Sequence, residues 1–388
     1  MQAAEEGAFG AGGGRLNMPD EGFRPQWVRG RTSRQAHADL PEGTVEEEHG
    51  REGFAGPASH LYRLHPPTGW DDVDGPLRPH ALDTGRLPIE APEALPVALL
   101  VNEDLRVSHW SVSEAPAWFF RDADGDLLLF VHRGEGVLET EYGPLRYRPG
   151  DYLVVPRGTT HRVVATAATR LLAVEALGGS IGLPDRGLLG RHALFDPAVV
   201  EVPEPDPHDE AGTFEVRVLR AGAITTVRYP FHPLDVVGWK GDLAPLRVNV
   251  DDFRPVTSPR YHLPPSAHTT FVGPGFVVAT FAPRPLETDP AVLRVPFYHR
   301  NIDVDEVIFY HRGEFFSRAG IEEGMLTFHP AGIHHGPQPQ AVERSRAAGP
   351  GGRADEVAVN IDARRPLRLT AAGEAISDPD YVRSWRRL

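Results

Sequence analysis

EVIFYHRGEF at residues 306–315 and LLLFVHRGEG at 127–136 are two versions of one unit, an apolar β-prone run closed by His-Arg-Gly-Glu. His132-Arg133-Gly134-Glu135 stands against His311-Arg312-Gly313-Glu314. Downstream, GDYLVVPRGTTH (150–161) matches GMLTFHPAGIHH (324–335), with Gly150, Pro156 and His161 spaced like Gly324, Pro330 and His335. Two copies of one β unit are therefore present. Short β-branched or aromatic runs recur elsewhere between turn residues, as in RLLAVEAL (170–177), FVVATF (276–281) and EVAVNI (356–361). That is the rhythm of a sandwich or small barrel. The 40 Gly and 38 Pro among 388 residues favour turns and short strands over long helices. An all-β fold with few short helices is expected.

Composition limits the function. A formal net charge of −14 argues against nucleic acid or an anionic membrane as a partner. No apolar run approaches the ~18 residues of a membrane span, and the opening MQAAEEGAFGAGGG lacks the apolar core of a secretory signal. A cytoplasmic protein is expected. The chain has no cysteine, which excludes disulfides, thiolate nucleophiles, Cys-ligated zinc and iron–sulfur clusters. A metal would have to be held by His, Asp or Glu, a donor set suited to Fe(II), Mn(II) or Zn(II). Residues 1 to about 25 are Gly-rich and unpatterned, so disorder is expected there. EPDPHDE (204–210) and RSRAAGPGGRADE (344–356) read as surface connections. The expected organisation is a tail (1–25), one lobe over 26–205 and a second over 206–388.

Chemistry concentrates in the second copy. Five of the 18 histidines lie between His299 and His335, together with Glu306. Two separated histidines and one carboxylate make the facial ligand set of a non-haem Fe(II) oxygenase. His299 and Glu306 are seven apart, the wrong parity for one face of a continuous strand, so separate strands are expected. Asp303, Asp305 and Glu306 are all candidate carboxylates. Alternation puts Asp305 opposite Glu306, and Glu306 opens the apolar strand, but the choice between the two stays open. At the His-Arg-Gly-Glu register His299 falls on Phe120 and Glu306 on Leu127, so the first copy keeps only His161 and cannot build a three-ligand site. His311, matched by His132 in that copy, reads as structural. His334 points away from His335 in an extended backbone, and His329 could hydrogen-bond a ligand or substrate.

The repeated unit resembles the cupin double-stranded β-helix, here as a bicupin. The wider pattern resembles the homogentisate 1,2-dioxygenase family: HPLDVVGWKGDLAPLRVNVDDFRP (232–255), PFYHRN (296–301), HHGPQP (334–339), VERSRA (342–347), DEVAVNIDARRPL (355–367) and the final DPDYVRSWRRL. That resemblance implies His299, Glu306 and His335 as Fe(II) ligands, His262 as acid/base and His329 as a substrate-orienting catalytic partner. It also implies substrate contacts from Tyr298, Asn301, Phe315 and His334, and assembly into trimers or hexamers. The implied reaction is ring opening of homogentisate by O₂ to maleylacetoacetate, in tyrosine and phenylalanine breakdown. Two departures stand out. The interval from His299 to Glu306 is one residue longer than in the family, and Phe315 occupies a position often held by tyrosine. Phenylalanine cannot hydrogen-bond a substrate carboxylate. Another para-hydroquinone is therefore an alternative substrate, and a metal-dependent cupin isomerase or a ligand-binding cupin is an alternative function.

Overall fold

A computed structural model describes residues 27–386 apart from 52, 54–55, 89–94, 294, 296, 316–317, 319 and 349–350. The tail over 1–25 lies outside the described residues. The fold is an all-β bicupin, and among the described residues the only α-helices are Pro339–Ala348 and Ala371–Ala375. The first of these corrects the reading of 344–356 as a plain surface connection. Its Glu, Arg and Ala residues are good helix formers, and Pro339 opens the helix where its missing N–H is not needed.

The first copy is built from a seven-stranded and a six-stranded sheet. The strand Asp126–Arg133 is buried on both faces, which explains its unbroken apolar run. Leu127, Leu129 and Val131 fill one core with Trp110, Leu153 and Val163. Leu128 and Phe130 face the other way, into a core shared with Val307, Phe309, Leu326, Phe328 and Val359 of the second copy. The equivalent strand Asp305–Arg312 divides its residues likewise: Val307 and Phe309 join the shared core, whereas Glu306, Ile308 and Tyr310 face the second copy's interior. The two units are thus packed back to back through their duplicated strands.

Strand exchange reinforces that packing and crosses the 205/206 division. Ala211–Arg220 pairs with Phe119–Asp122, and Leu246–Asn249 with Asp151–Val155, both in sheets of the first copy. Conversely, His80–Asp83 joins the second copy's six-stranded sheet beside Met325–His329. Arg368–Leu369 pairs with Val97–Val101.

Against Phe130 and Phe309 of the shared core the two repeat histidines meet, His132 Nδ1 lying 3.0 Å from His311 Nδ1. One ring must donate and the other accept, so at most one of the two can be protonated. Burial pushes His132 down to about 3 and His311 down to about 4, with the neighbouring ring and arginines adding to the effect. The folded state resists protonation that the unfolded chain accepts near pH 6.5. Stability is therefore present above that pH and is lost as pH falls toward 4. Thermal melts should show a midpoint that drops steadily from pH 6.5 to 4.5. His132→Leu should lower the midpoint at pH 7 but give a shallower pH slope, and an unchanged slope would remove the pair from this account.

Candidate metal centre

Two short segments place the key histidines. Tyr298–Asn301 is a strand, and its His299 forms an antiparallel bridge with His335. The bridge is a pair of backbone hydrogen bonds, His299 N to His335 O at 2.9 Å and His335 N to His299 O at 3.0 Å. Gly336 permits this approach: its φ is +143°, and a Cβ there would lie 2.9 Å from the Tyr298 Cα. The expected break between His299 and Glu306 is present, with Glu306 on the next strand, Asp305–Arg312.

The rings are oriented by the backbone. His299 Nδ1 lies 3.0 Å from the Phe297 carbonyl, and His335 Nδ1 lies 3.4 Å from that of Ile333. With Nδ1–H turned to a carbonyl, each Nε2 presents a lone pair to Glu306. His299 Nε2 is 3.8 Å from Glu306 Oε2 and His335 Nε2 is 3.6 Å from Oε1. The three ligand atoms lie within 4.8 Å of one another, and all three residues are buried. His335 Nε2 is buried and makes no hydrogen bond. A divalent cation would satisfy it, so the donor set fits a metal.

The charge state fits as well. Burial alone would raise the Glu306 carboxyl. The surrounding imidazoles, His335 first and then His299 and the hydrogen-bonded His329, override burial and hold it well below the ordinary carboxylate range. Burial pushes His335 down to about 3 and His329 to about 4. At neutral pH this gives an ionised carboxylate facing neutral imidazoles, the state that binds metal without first losing protons.

His329 is not among the residues that line the adjoining pocket. Its Nδ1 is 2.8 Å from Glu306 Oε1, and its Nε2 is 3.2 Å from the Tyr381 hydroxyl. Tyr381 donates to His329, which donates to Glu306, and the Arg318 guanidinium stands 3.9 Å from the same oxygen. This relay orients the carboxylate. The other two acids are engaged elsewhere. Asp303 pairs with Arg51, and Asp305 accepts from the Ala331 and Leu367 amides, both at 2.7 Å.

The pocket opens beside His299 and Glu306 and is walled by Phe281, Phe297, Ile308 and Ala358. His262 lines it, with Nδ1 2.9 Å from Glu287 Oε1, so Nε2 is left for the pocket. Arg284 lines it too, held by Glu356 at 3.0 Å within a buried pair. Phe315 packs on Tyr310, ring centroids 4.8 Å apart, just behind this wall. Of the other residues named from the sequence, Tyr298 and Asn301 are buried on the strand of His299. His334 faces away from His335, with Nε2 3.0 Å from Glu47. Glu287, Arg284, Arg318 and Glu356 were not singled out from the sequence, where nothing marks them among the surrounding arginines and acids. Tyr381 lay within a quoted motif but carried no assigned role.

Comparisons with known proteins place the chain in a family. Residues 100–250 match the family described as homogentisate 1,2-dioxygenase N-terminal, and 261–388 match its C-terminal counterpart. A protein of Saccharolobus solfataricus that carries a dioxygenase name with no substrate attached is 36% identical over 88% of this chain and 92% of its own length. Homogentisate 1,2-dioxygenases of Bradyrhizobium diazoefficiens and Sinorhizobium fredii are 29% and 30% identical over 69% and 70% of this chain. The matches span 63% of the length of each of these two relatives. A cupin 2 barrel protein from Leptotrichia buccalis covers 74% of the chain at 11% identity with a TM-score of 0.33.

Alanine at His299, Glu306 or His335 should abolish stoichiometric metal retention measured by atomic emission. Asp305→Asn should keep the metal and lower stability by about 1–3 kcal/mol, the cost of weakening a buried charged acceptor. Metal lost from Asp305→Asn but kept by Glu306→Ala would make Asp305 the ligand.

Proposed function

The chain belongs to the homogentisate 1,2-dioxygenase family and is a dioxygenase dependent on a non-haem metal, and on that premise we propose that it opens the ring of homogentisate with O₂, using Fe(II) on His299, Glu306 and His335, to give maleylacetoacetate. The observation that carries this reading is that His262 and Arg284 line the same apolar-walled pocket as His299 and Glu306. A proton acceptor, a cation for an acidic side arm and the metal ligands then face one aromatic-sized space.

Each group has a task. When bound, Fe(II) supplies open positions for a ring hydroxyl and O₂ and a charge that lowers the hydroxyl's pKa. His262 takes the hydroxyl proton at Nε2, while Glu287 holds Nδ1–H and stabilises the imidazolium that results. Phe281, Phe297 and Ile308 clamp the ring and keep water out. Arg284, neutralised in part by Glu356, reads the substrate's carboxylate and takes over the contact that Phe315 cannot make. His329 and Tyr381 keep Glu306 ionised and correctly turned, a positioning role in place of direct substrate contact. Phe315 favours one further reading, the same chemistry on a para-hydroquinone with a different side arm. We place the enzyme in the cytoplasm; among the described residues no helix is long and apolar enough to cross a membrane.

Reconstituted with Fe(II) under argon, the protein should consume one O₂ per homogentisate, with an enol-type ultraviolet product. Uptake with another hydroquinone alone would move the substrate, and no uptake with any dihydroxy aromatic would refute the reading. His262→Gln should keep its iron and lose about 10²–10⁴-fold in kcat. Arg284→Leu should raise KM for carboxylate-bearing substrates and leave plain hydroquinone unaffected, and an equal loss on both would give Arg284 a structural role only.

A further inference from the structure

The strand Val45–Gly50 carries three consecutive glutamates and runs parallel to the strand of His299. Alternation sends Glu47 to one face, where it pairs with Arg63, with Arg300 at 3.5 Å and with His334 at 3.0 Å. Glu46 and Glu48 share the opposite face with His37 and His60. Glu46 is 1% exposed, His37 3% and Glu48 8%. Buried carboxylates on this scale call for a cation or strong donors. Both arginines of this small sheet, Arg63 and Arg300, go to Glu47, while Glu46 accepts from the His37 amide at 3.0 Å and the Tyr62 hydroxyl at 3.1 Å.

From these residues we infer a second divalent-cation site, formed by His37, Glu48 and His60 and suited to Zn²⁺. Three observations support it. The ligand atoms lie within 4.8 Å of one another, the same bound as in the His299, Glu306 and His335 set. His37 Nδ1 is 2.9 Å from Glu46 Oε2, so Nδ1–H is donated to that carboxylate and Nε2 faces Glu48 Oε2 at 3.9 Å. A carboxylate behind the distal nitrogen is the arrangement that orients a ligating histidine and raises its basicity. Finally, His60 Nδ1 is buried and makes no hydrogen bond, with Glu46 Oε1 3.5 Å away. Two imidazoles and a carboxylate suit Zn²⁺, which commonly takes water as a fourth ligand. Binding would draw the ligand atoms together by about 1 Å, toward metal–ligand distances of roughly 2.0–2.2 Å.

Backbone conformation also singles out this corner. His37 adopts φ +66°, a left-handed conformation uncommon for a residue with a side chain. It sets the imidazole flat against Phe297, centroids 4.1 Å apart at 13°. The Phe297 carbonyl in turn receives Nδ1–H of His299. A cation here would tie the segment around His37 to the wall of the catalytic pocket. Its role is structural, and it holds whether or not homogentisate is the substrate.

The test counts metal. Full-length protein is stripped with chelator, loaded with excess Zn²⁺, desalted and assayed by atomic emission, with folding checked by circular dichroism. Wild type should retain two equivalents, His299→Ala one, Glu48→Gln one, and the double variant none. His60→Gln, at the less buried rim, should match Glu48→Gln and decides the matter if the latter fails to fold. Zinc should raise the melting temperature of His299→Ala but leave that of His299→Ala/His60→Gln unmoved. No zinc retained by His299→Ala overturns the proposal. So does a second equivalent that survives both Glu48→Gln and His60→Gln yet is lost in His208→Gln, which would move it to the His208, Glu210 and His232 cluster.

Discussion

The paired backbone hydrogen bonds between His299 and His335 are the constraint on which the site rests. They bring together two segments more than thirty residues apart and set the rings 4.0 Å between centroids. Each ring is then turned by a carbonyl two residues back in the chain. Remove the bridge and no pair of imidazoles faces Glu306. The requirement explains the local sequence: Gly336 is needed because a side chain would strike Tyr298 and the Phe297 carbonyl.

The first copy retains this scaffold without the chemistry. His161 pairs with Phe120 at the register where His335 pairs with His299. Leu127 opposes Val155 where Glu306 opposes His329. His161 still turns Nδ1 to the carbonyl of Thr159, as His335 does to Ile333. Asp126 still accepts the amide of Arg157, as Asp305 accepts that of Ala331. Geometry held by backbone and by buried acids is thus common to both copies, whereas Phe120 and Leu127 stand at the positions of His299 and Glu306 and only His161 is kept. The ligand-equivalent face of the first copy, with Leu127, fills that copy's own interior beside Leu129, Val131 and Leu153.

This division explains how much could be read in advance. The duplication, the all-β class and the grouping of His299, Glu306 and His335 were legible because they lie in one repeating window. Strand parity separated His299 from Glu306 correctly. The choice among Asp303, Asp305 and Glu306 needed the structure, because only tertiary contacts reveal that Asp305 is occupied by two amides. His329 was legible as a hydrogen-bonding residue, but its attachment to Glu306 depends on Tyr381, 52 residues away. Arg284, Glu356 and Glu287 converge from separate strands and loops, and no periodicity links them. The helix Pro339–Ala348 was missed because its polar sequence resembles a linker.

Electrostatics tie the site to the stability of the fold. Glu306 is a buried anion, costly unless neighbours repay its lost hydration. His329 and Arg318 do so at Oε1, with Tyr381 supporting His329, while Oε2 and the Nε2 atoms of His299 and His335 lie close together. Such an arrangement is satisfied at one carboxylate oxygen and unsatisfied at the other. Protonating Glu306 would relieve it, but the same neighbours hold its carboxyl well below the usual range. A divalent cation removes the imbalance with no change in protonation, so the structure selects for metal over proton at this point. The cluster of Glu46, Glu48, His37 and His60 follows the same logic on the adjoining strand: one carboxylate orients an imidazole and the other faces its free nitrogen. Where buried acids recur beside histidines and the nearby arginines turn elsewhere, a bound cation is the simplest balance of charge.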